Sequence, residues 1–176
     1  NFDISGWSFF PNGVDQEFIE FREESKKSNN SEDNSTGIKT ILYAGNIGSG
    51  QGLESVIPKL AKQLGVGFRF VVVGGGAKEP LLKEAIASKE VKNVEMVAPV
   101  SRTELMEYYR KADILFLHLN DVPAFRRVLP SKIFEYAALG KPIVAGLSGY
   151  SAKFVEEELP YVSLFEPGDF IGGYRA

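Results

Sequence analysis

Short apolar runs alternate with helical patterns from Ile38 to the end of the chain. Six runs are rich in β-branched and aromatic residues, and several lack polar alternation, as strands covered on both faces do. This alternation predicts a Rossmann-like α/β domain, with a parallel sheet of about six strands and helices on both faces. The predicted strands are 40–44, 68–73, 94–98, 114–119, 142–146 and 161–165, and the predicted helices are 53–64, 80–89, 103–112 and 132–139.

The amino-terminal part of the chain lacks this rhythm. Residues 20–37 are polar, mixed in charge and without periodicity, which predicts a flexible loop. Residues 1–19 are expected to form an entry segment that packs on the domain, and residues 38–176 the domain itself. Because the chain begins with Asn1 rather than Met, we expect it to be a piece of a longer protein.

Composition excludes several kinds of function. The 176 residues carry a formal net charge of −3, which argues against general nucleic-acid binding. The chain has no cysteine and one histidine, which excludes a disulfide, a thiolate metal site and a histidine-rich metal site. No apolar run approaches the roughly 18 residues of a membrane span, and a cytoplasmic location is expected.

Three local signals have simple structural interpretations. Ser101 and Glu104 form a capping-box pattern at a helix start, and Gly140 is suited to end the helix over 132–139. His118 lies in an apolar strand pattern, where a satisfied core or edge histidine is commoner than a catalytic one. We therefore expect these residues to serve the fold.

Two glycine-rich segments follow predicted strands. The segment Gly45–Gly52, "GNIGSGQG", leads into a helix, so its backbone can approach a phosphate, although a turn for tight packing explains it too. It lacks the third glycine of a dinucleotide fingerprint and the Lys-Ser/Thr pair of a P-loop. The run Gly74–Gly76 also fails the dinucleotide pattern, and we expect it to be a plain flexible loop.

The predicted helix 132–139 leaves two interpretations open. Lys132 and Glu135 share one face, where the bland interpretation is an ion pair in which Glu135 also complements the helix dipole. In the functional interpretation, the helix begins at Ser131 and its first amides face a phosphate. Lys132, together with Arg126 or Arg127, adds positive charge, and Glu135 accepts hydrogen bonds from ribose hydroxyls. The residues expected to face the sheet are Ile133, Phe134, Ala137 and Ala138, with Tyr136 and Leu139 on the opposite side.

Two segments carry a family resemblance. "LPSKIFEYAALGKPIVA" resembles the donor-site signature of the family 4 retaining glycosyltransferases of GT-B fold, and "ILYAGNIGSGQGLESVI" resembles their first strand and phosphate loop. "FFPNGVDQEFI" is similar to the segment by which such chains enter their second domain. The resemblance implies that this chain is the second, nucleotide-sugar-binding domain of an enzyme of bacterial polysaccharide biosynthesis.

The resemblance also implies a reaction. The full-length enzyme would transfer a sugar from a UDP- or GDP-sugar to a glycan or lipid-linked acceptor, with retained anomeric configuration and without a metal. The acceptor and the catalytic groups would belong to the other domain, so we expect this domain to be inactive alone. The nucleotide-sugar is then a substrate and not a cofactor, and membrane association of the full-length enzyme stays open.

The resemblance assigns residues to the donor. Glu135 matches the glutamate that holds the ribose, whereas Arg127 stands where its partner glutamate is expected. Asn46 and Gln51 stand where many members have an arginine and a lysine. The implied donor-binding residues are Gly45, Asn46, Gly48, Gln51, Pro99, Val100, Arg126, Arg127, Ser131, Lys132 and Glu135, with Pro99 and Val100 against the base.

Other functions remain as alternatives. A non-catalytic nucleotide-binding or partner domain would have the same sequence features. A sugar-nucleotide epimerase of similar two-domain architecture would bind the same ligands. A nicotinamide dehydrogenase is disfavoured, because both glycine segments depart from the dinucleotide fingerprint.

Overall fold

A computed structural model describes residues 13–27 and 37–176. Within these residues, six strands pair in parallel into a single sheet. They are β1 (Lys39–Ala44), β2 (Phe68–Val73), β3 (Val94–Val97), β4 (Ile114–His118), β5 (Ile143–Gly146) and β6 (Val162–Phe165). The order across the sheet is β3-β2-β1-β4-β5-β6, which confirms the predicted fold class.

Helices cover both faces of this sheet. In the described part of the chain they are α1 (Gln16–Lys27), α2 (Leu53–Leu64), α3 (Glu79–Ser88), α4 (Arg102–Lys111), α5 (Lys132–Leu139), α6 (Gly149–Glu158) and α7 (Phe170–Arg175). One hydrophobic core joins the sheet to α1, α4, α5 and α6, and the other joins it to α2, α3 and α7. Short 3₁₀ turns lie at Gly65–Gly67 and Phe125–Arg127.

Strand β1 shows why the strands are apolar on both sides. Leu42 and Ala44 belong to one core, whereas Ile41 and Tyr43 belong to the other. All four are almost fully buried. Since successive side chains of a strand point to opposite faces, a strand between two helical layers loses the polar alternation of a half-exposed one.

The strand order reverses direction between β1 and β4. From β1 the chain builds outward to β3, and it then returns to place β4 on the other side of β1. The loops that follow β1 and β4 therefore separate at this point, and open α/β sheets bind ligands in the crevice that results. The topology directs the search for a site to the carboxyl ends of β1 and β4.

The predicted helix ends agree well with the structure. The Ser101 hydroxyl oxygen accepts from the Glu104 amide at 3.3 Å, and the Glu104 carboxylate accepts from the Ser101 amide at 2.9 Å. Gly140 follows α5 with a left-handed backbone, φ 68°. Both the capping box at α4 and the glycine end of α5 are confirmed.

Helix α1 corrects the prediction of a flexible loop over residues 20–37. Residues 16–27 are helical, residues 28–36 lie outside the described part, and so do residues 1–12 of the expected entry segment. Phe18 and Phe21 are buried, with the Phe18 ring centroid 6.0 Å from that of Tyr109 in α4. Two buried aromatic residues three positions apart thus anchor a mostly polar helix, since tertiary packing outweighs composition.

The described residues contain neither a membrane-spanning helix nor a clustered metal site. None of the helices in 13–27 and 37–176 is long and apolar enough to cross a bilayer. Within the same ranges, no three His, Cys, Asp or Glu side chains are grouped to hold a metal ion.

Candidate functional site

The first glycine loop (Gly45–Gly52) joins β1 to α2, and its own side chains hold its shape. The Tyr43 hydroxyl donates to the carbonyl oxygen of Asn46 at 2.6 Å. The Gln51 side-chain oxygen accepts from the Gly48 amide at 3.2 Å and from Asn46 Nδ2 at 3.4 Å. Asn46 and Gln51, both predicted to bind the donor, are therefore turned toward each other within the loop.

The second glycine loop (Gly74–Gly76) packs directly on the first. The Ile47 amide donates to the Gly75 carbonyl at 2.9 Å. A Cβ built on Gly74 would lie less than 3.0 Å from the Gly45 carbonyl oxygen, and Gly74 has a φ of 141° that side-chain-bearing residues rarely adopt. The expectation of a plain flexible loop is wrong, because two backbones touch here and only glycine leaves room.

Pro99 and Val100 follow β3 and take different positions. A Cβ built on Gly75 would lie 3.3 Å from Pro99 Cγ, so Pro99 covers the second glycine loop. Val100 is partly buried and packs against the core that contains α4. The structure brings Pro99 close to the glycine loops, while Val100 is directed to the face of the sheet.

Asn120, which no sequence motif singled out, ties the end of β4 to the first glycine loop. Its backbone amide donates to the Gly50 carbonyl at 2.8 Å, and its side-chain Nδ2 donates to the Ser49 carbonyl at 2.5 Å. Its side chain also occupies the space that a Cβ on Gly52 would need. The available signal was a polar residue at the carboxyl end of a buried strand, which is where such sheets bind ligands.

Arg126 is engaged in a bidentate ion pair. Its Nε and terminal nitrogen each donate to an oxygen of Asp121 at 2.7 Å, and Ser148 donates to the same carboxylate at 2.9 Å. The hydrogen bonds from Arg126 and then Ser148 lower the pKa of Asp121 to about 2. The charge of Arg126, predicted to face a phosphate, is compensated within the protein.

Lys132 connects the start of α5 to the first glycine loop. A Cβ built on Gly45 would lie 3.1 Å from Lys132 Cε, so the lysine stem rests on the loop backbone. The Lys132 ammonium lies 3.1 Å from a Glu135 oxygen and 5.8 Å from the Tyr136 ring centroid. The predicted pairing of Lys132 with Glu135 is confirmed, and both side chains keep about a quarter of their surface exposed, 24% and 29%.

The buried face of α5 differs from the predicted one. Ile133, Tyr136 and Leu139 are buried, whereas Phe134 is half-buried and packs against Phe154 of α6 with ring centroids 5.7 Å apart. The Tyr136 hydroxyl accepts a hydrogen bond from the Ala44 amide at 3.2 Å. A helix that is covered by the sheet, α1 and α6 together buries more than one arc, so the placement of Tyr136 and Leu139 opposite the sheet was wrong.

Ser131 and Arg127 are both exposed near the start of α5. The Ser131 side chain makes no capping hydrogen bond, although its carbonyl accepts from the Phe134 amide at 3.0 Å. Arg127 makes no side-chain hydrogen bond or ion pair to any residue within 13–27 or 37–176. Both residues are free to contact a ligand.

His118 is a structural residue, as expected. It is fully buried, its Nδ1 donates to the Gln51 carbonyl at 2.6 Å, and its Nε2 accepts from the Gly168 amide at 2.9 Å. One neutral tautomer satisfies both bonds. Burial lowers its pKa below the ordinary 6.5, outweighing the Gln51 carbonyl, which raises it. The ring holds the first glycine loop to the segment before α7.

We expect the stability of the protein to fall as the pH drops below about 6.5. In this range His118 binds a proton more readily in the unfolded chain than in the folded protein, where burial lowers its pKa. The free energy of unfolding therefore rises with pH. Urea denaturation at intervals from pH 5 to 7 measures this slope, which His118→Gln should reduce. Equal stability of the wild-type protein across this range would contradict the expectation, since the chain has only one histidine.

Together these residues form a surface suited to an anion with an attached diol. The Ile133 and Phe134 amides at the start of α5 donate to the Pro130 and Ser131 carbonyls at 3.1 and 3.0 Å. The positive end of the helix dipole nevertheless favours negative charge there, and Lys132 adds a full positive charge. Glu135, one turn further into α5, offers an acceptor for hydroxyl groups. A phosphate ester of a sugar matches this combination.

A cavity of about 650 Å³ lies elsewhere on the domain. Phe68, Val91 and Asn93 are among its lining residues, at the amino ends of β2 and β3. Because ligands of open parallel sheets bind at the carboxyl ends of the strands, we assign the candidate site to the glycine loops and α5 instead.

A family model described as "Glycosyl transferases group 1" matches residues 21–165. The chain belongs to this family. The match includes both glycine loops, Asn120 and the whole of α5, so the candidate site lies inside the shared region.

A glycosyl transferase relative is found in Escherichia coli (strain K12). It is named as the colanic acid biosynthesis glycosyl transferase WcaI and is 29% identical over 113 residues. The match covers 64% of this chain and 28% of the relative. The chain thus spans less than a third of the length of that glycosyl transferase.

Several solved structures share the fold of this domain. Anabaena Alr3699/HepE in complex with UDP-glucose has a TM-score of 0.63 and 17% identity, over 92% of this chain and 42% of that one. The catalytic domain of the Helicobacter pylori cholesterol-α-glucosyltransferase has a TM-score of 0.61 and 20% identity, over 78% and 82%. These likenesses place the domain in the GT-B fold.

Proposed function

We propose that this domain binds the donor of a retaining glycosyltransferase, which transfers a sugar from a UDP- or GDP-sugar to a glycan or lipid-linked acceptor. Family membership supports the reaction class. The observation that carries the proposal is the contact of the Lys132 stem with Gly45, which joins the start of α5 to the first glycine loop. This contact joins the two elements that we propose to bind the phosphates.

The diphosphate of the donor is the ligand of this joint site. Amide groups of the first glycine loop and of residues near Ser131 donate to its oxygens, and Lys132 supplies positive charge. These groups are fixed before the reaction, so they stabilise the charge that develops on the departing diphosphate without reorganising. We propose that no metal is required for this step.

The nucleoside lies on the side of Glu135. The carboxylate accepts hydrogen bonds from the two ribose hydroxyls, and its pairing with Lys132 keeps the site from accumulating negative charge. Pro99, which covers the second glycine loop, contacts the base. Contacts of Gly48, Val100 and Arg126 with the donor also remain part of this proposal.

The rest of the enzyme supplies what this domain lacks. We propose that the acceptor and the catalytic groups lie on another domain, that the protein is cytoplasmic, and that nucleic acid is not a partner. The isolated domain should then bind nucleoside diphosphates weakly and transfer no sugar. Detectable transfer by the isolated domain would refute this division of roles.

Titration of the full-length protein with UDP, GDP and ADP tests the donor site. We expect saturable binding of UDP or GDP, measured by isothermal calorimetry. Absence of binding to all three would exclude the donor site. An assay with the matching nucleotide-sugar and acceptor then separates transfer from epimerisation, because an epimerase releases free sugar or an isomer.

Replacing Glu135 with glutamine tests the ribose contact. We expect binding of the nucleoside diphosphate to weaken about tenfold, because hydrogen bonds to a charged acceptor are lost. Binding of pyrophosphate, which has no ribose, should change less. Glu157→Gln is a matched control, since Glu157 also pairs with a lysine, Lys153, but on α6. Equal losses for both ligands would show that Glu135 does not contact the ribose.

A further inference from the structure

Three cations lie near the start of α5, and two of them are compensated. Arg126 forms two 2.7 Å hydrogen bonds to Asp121, and Lys132 lies 3.1 Å from Glu135. Arg127 is exposed and has no charged or hydrogen-bonding partner for its side chain in the described ranges 13–27 and 37–176. Within the described ranges, the segment therefore carries one positive charge that no other side chain compensates.

The backbone of Arg127 is held in place on both sides. The ring of Phe125 fills the space next to Gly50 of the first glycine loop, where a built Cβ would lie 2.9 Å from it. The backbone of Arg126 lies against Gly149 at the start of α6. Arg127 is the last residue of this 3₁₀ turn, so its backbone directly follows two residues that pack on the first glycine loop and on α6.

The order of residues from the 3₁₀ turn into α5 suggests a position for Arg127 along the ligand. A nucleotide-sugar is linear, with ribose, diphosphate and sugar in that order. Glu135 lies one turn inside α5, Lys132 is its first residue, and Arg127 precedes it by five positions. If Glu135 holds the ribose and Lys132 the diphosphate, as in the proposed function on which this argument rests, Arg127 lies toward the sugar.

We infer that Arg127 selects donors whose sugar carries a carboxylate, that is, nucleotide-linked uronic acids. A guanidinium is permanently charged and binds a carboxylate through two parallel hydrogen bonds. An uncompensated guanidinium next to a neutral sugar would gain no such partner. The same guanidinium could bind only one other anion in the ligand, the diphosphate, and the experiment separates these two anions.

Matched donor pairs on the full-length protein provide the test. UDP-glucuronic acid is compared with UDP-glucose, and GDP-mannuronic acid with GDP-mannose, together with free UDP and GDP. The pair to compare is the one whose free nucleotide, UDP or GDP, binds to the protein. Within that pair, we expect the uronic acid donor to bind about tenfold more tightly than the neutral donor. Arg127→Gln should reduce this preference to less than about threefold, and Arg127→Lys should retain part of it.

Arg69→Gln is the control variant. It removes the same charge at the amino end of β2, where Arg69 pairs with Glu95, and the preference should persist. Equal affinity of the wild-type protein for both donors of a pair would overturn the inference. So would an Arg127→Gln variant that loses as much affinity for free UDP or GDP as for the uronic acid donor, because Arg127 would then contact the diphosphate. Failure to bind any nucleoside diphosphate would overturn the proposed function as well, whereas binding without preference overturns the role of Arg127 alone.

Discussion

Lys132→Ala is expected to lower the turnover number of the full-length enzyme by about a hundredfold or more. Lys132 supplies the positive charge between the start of α5 and the first glycine loop, where negative charge develops as the diphosphate departs. Its removal also leaves the Glu135 carboxylate without its partner at 3.1 Å, so the remaining charge repels the diphosphate. Steady-state kinetics with the nucleotide-sugar and acceptor measure the loss.

Two further variants separate these causes. The double variant Lys132→Ala/Glu135→Gln also removes the carboxylate that has lost its partner. If activity returns in this variant, the loss in Lys132→Ala came from repulsion of the diphosphate by Glu135 and not from loss of the lysine charge. Lys153→Ala is the control, since it removes a lysine that pairs with a glutamate on α6, Glu157, at 3.7 Å. Turnover within twofold of wild type for Lys132→Ala would show that Lys132 does not act on the diphosphate.

Gly74→Ala is expected to reduce the free energy of unfolding by about 2–5 kcal/mol. An alanine there must place its Cβ against the Gly45 carbonyl, which is backbone and cannot rotate away. It must also adopt a φ of 141°, which strains a residue with a side chain. Since small domains are stable by only about 5–15 kcal/mol, urea denaturation should show a large fall in midpoint.

Gly67→Ala provides the matched control for Gly74→Ala. Gly67 lies in a 3₁₀ turn, and a Cβ built on it meets no atom within 4 Å. Its substitution should change the free energy of unfolding by less than about 1 kcal/mol. If both variants lose the same stability, the two glycine loops do not depend on close backbone contact.

Much of the fold could be predicted from the sequence, because the burial of each strand and helix leaves a visible pattern of apolar residues. Strands such as Phe68–Val73 are apolar on both sides since helices cover both faces, and this pattern is visible without a structure. The capping box at Ser101 is equally local, because its hydrogen bonds join residues three positions apart. The six strands and the four predicted helices were found for these reasons, with end positions shifted by at most one residue.

The sequence did not reveal features that depend on distant contacts. Helix α1 is mostly polar and packs through Phe18 and Phe21 on a core shared with α4 and α5, which lie far along the chain. The buried face of α5 includes Tyr136, whose hydroxyl accepts from the Ala44 amide of β1 across a long separation in sequence. The role of Asn120 likewise arises from the neighbouring position of β1 and β4 in the sheet, which no local pattern encodes.

The candidate site shows the same division. The glycine content of the first loop is visible in the sequence. The pairing of Lys132 with Glu135 is also local, and it was one of the two interpretations that the sequence left open. The mutual hydrogen bonding of Asn46 and Gln51 and the engagement of Arg126 by Asp121 depend on loop geometry. Arg127 stands where the family resemblance leads us to expect a carboxylate. Because it has no partner in the described ranges, its proposed effect on donor specificity can be tested.

The burial of α1 determines where this domain can be cut. Phe18 and Phe21 cover Tyr109 and the end of α5, and Arg22 lies 3.0 Å from a Cβ built on Gly140. A shortened protein of residues 38–176 would uncover these aromatic and aliphatic groups to water. Exposed patches of this kind promote self-association, so such a protein would tend to aggregate when purified. A version that begins before Gln16 keeps the patch covered and should remain monodisperse.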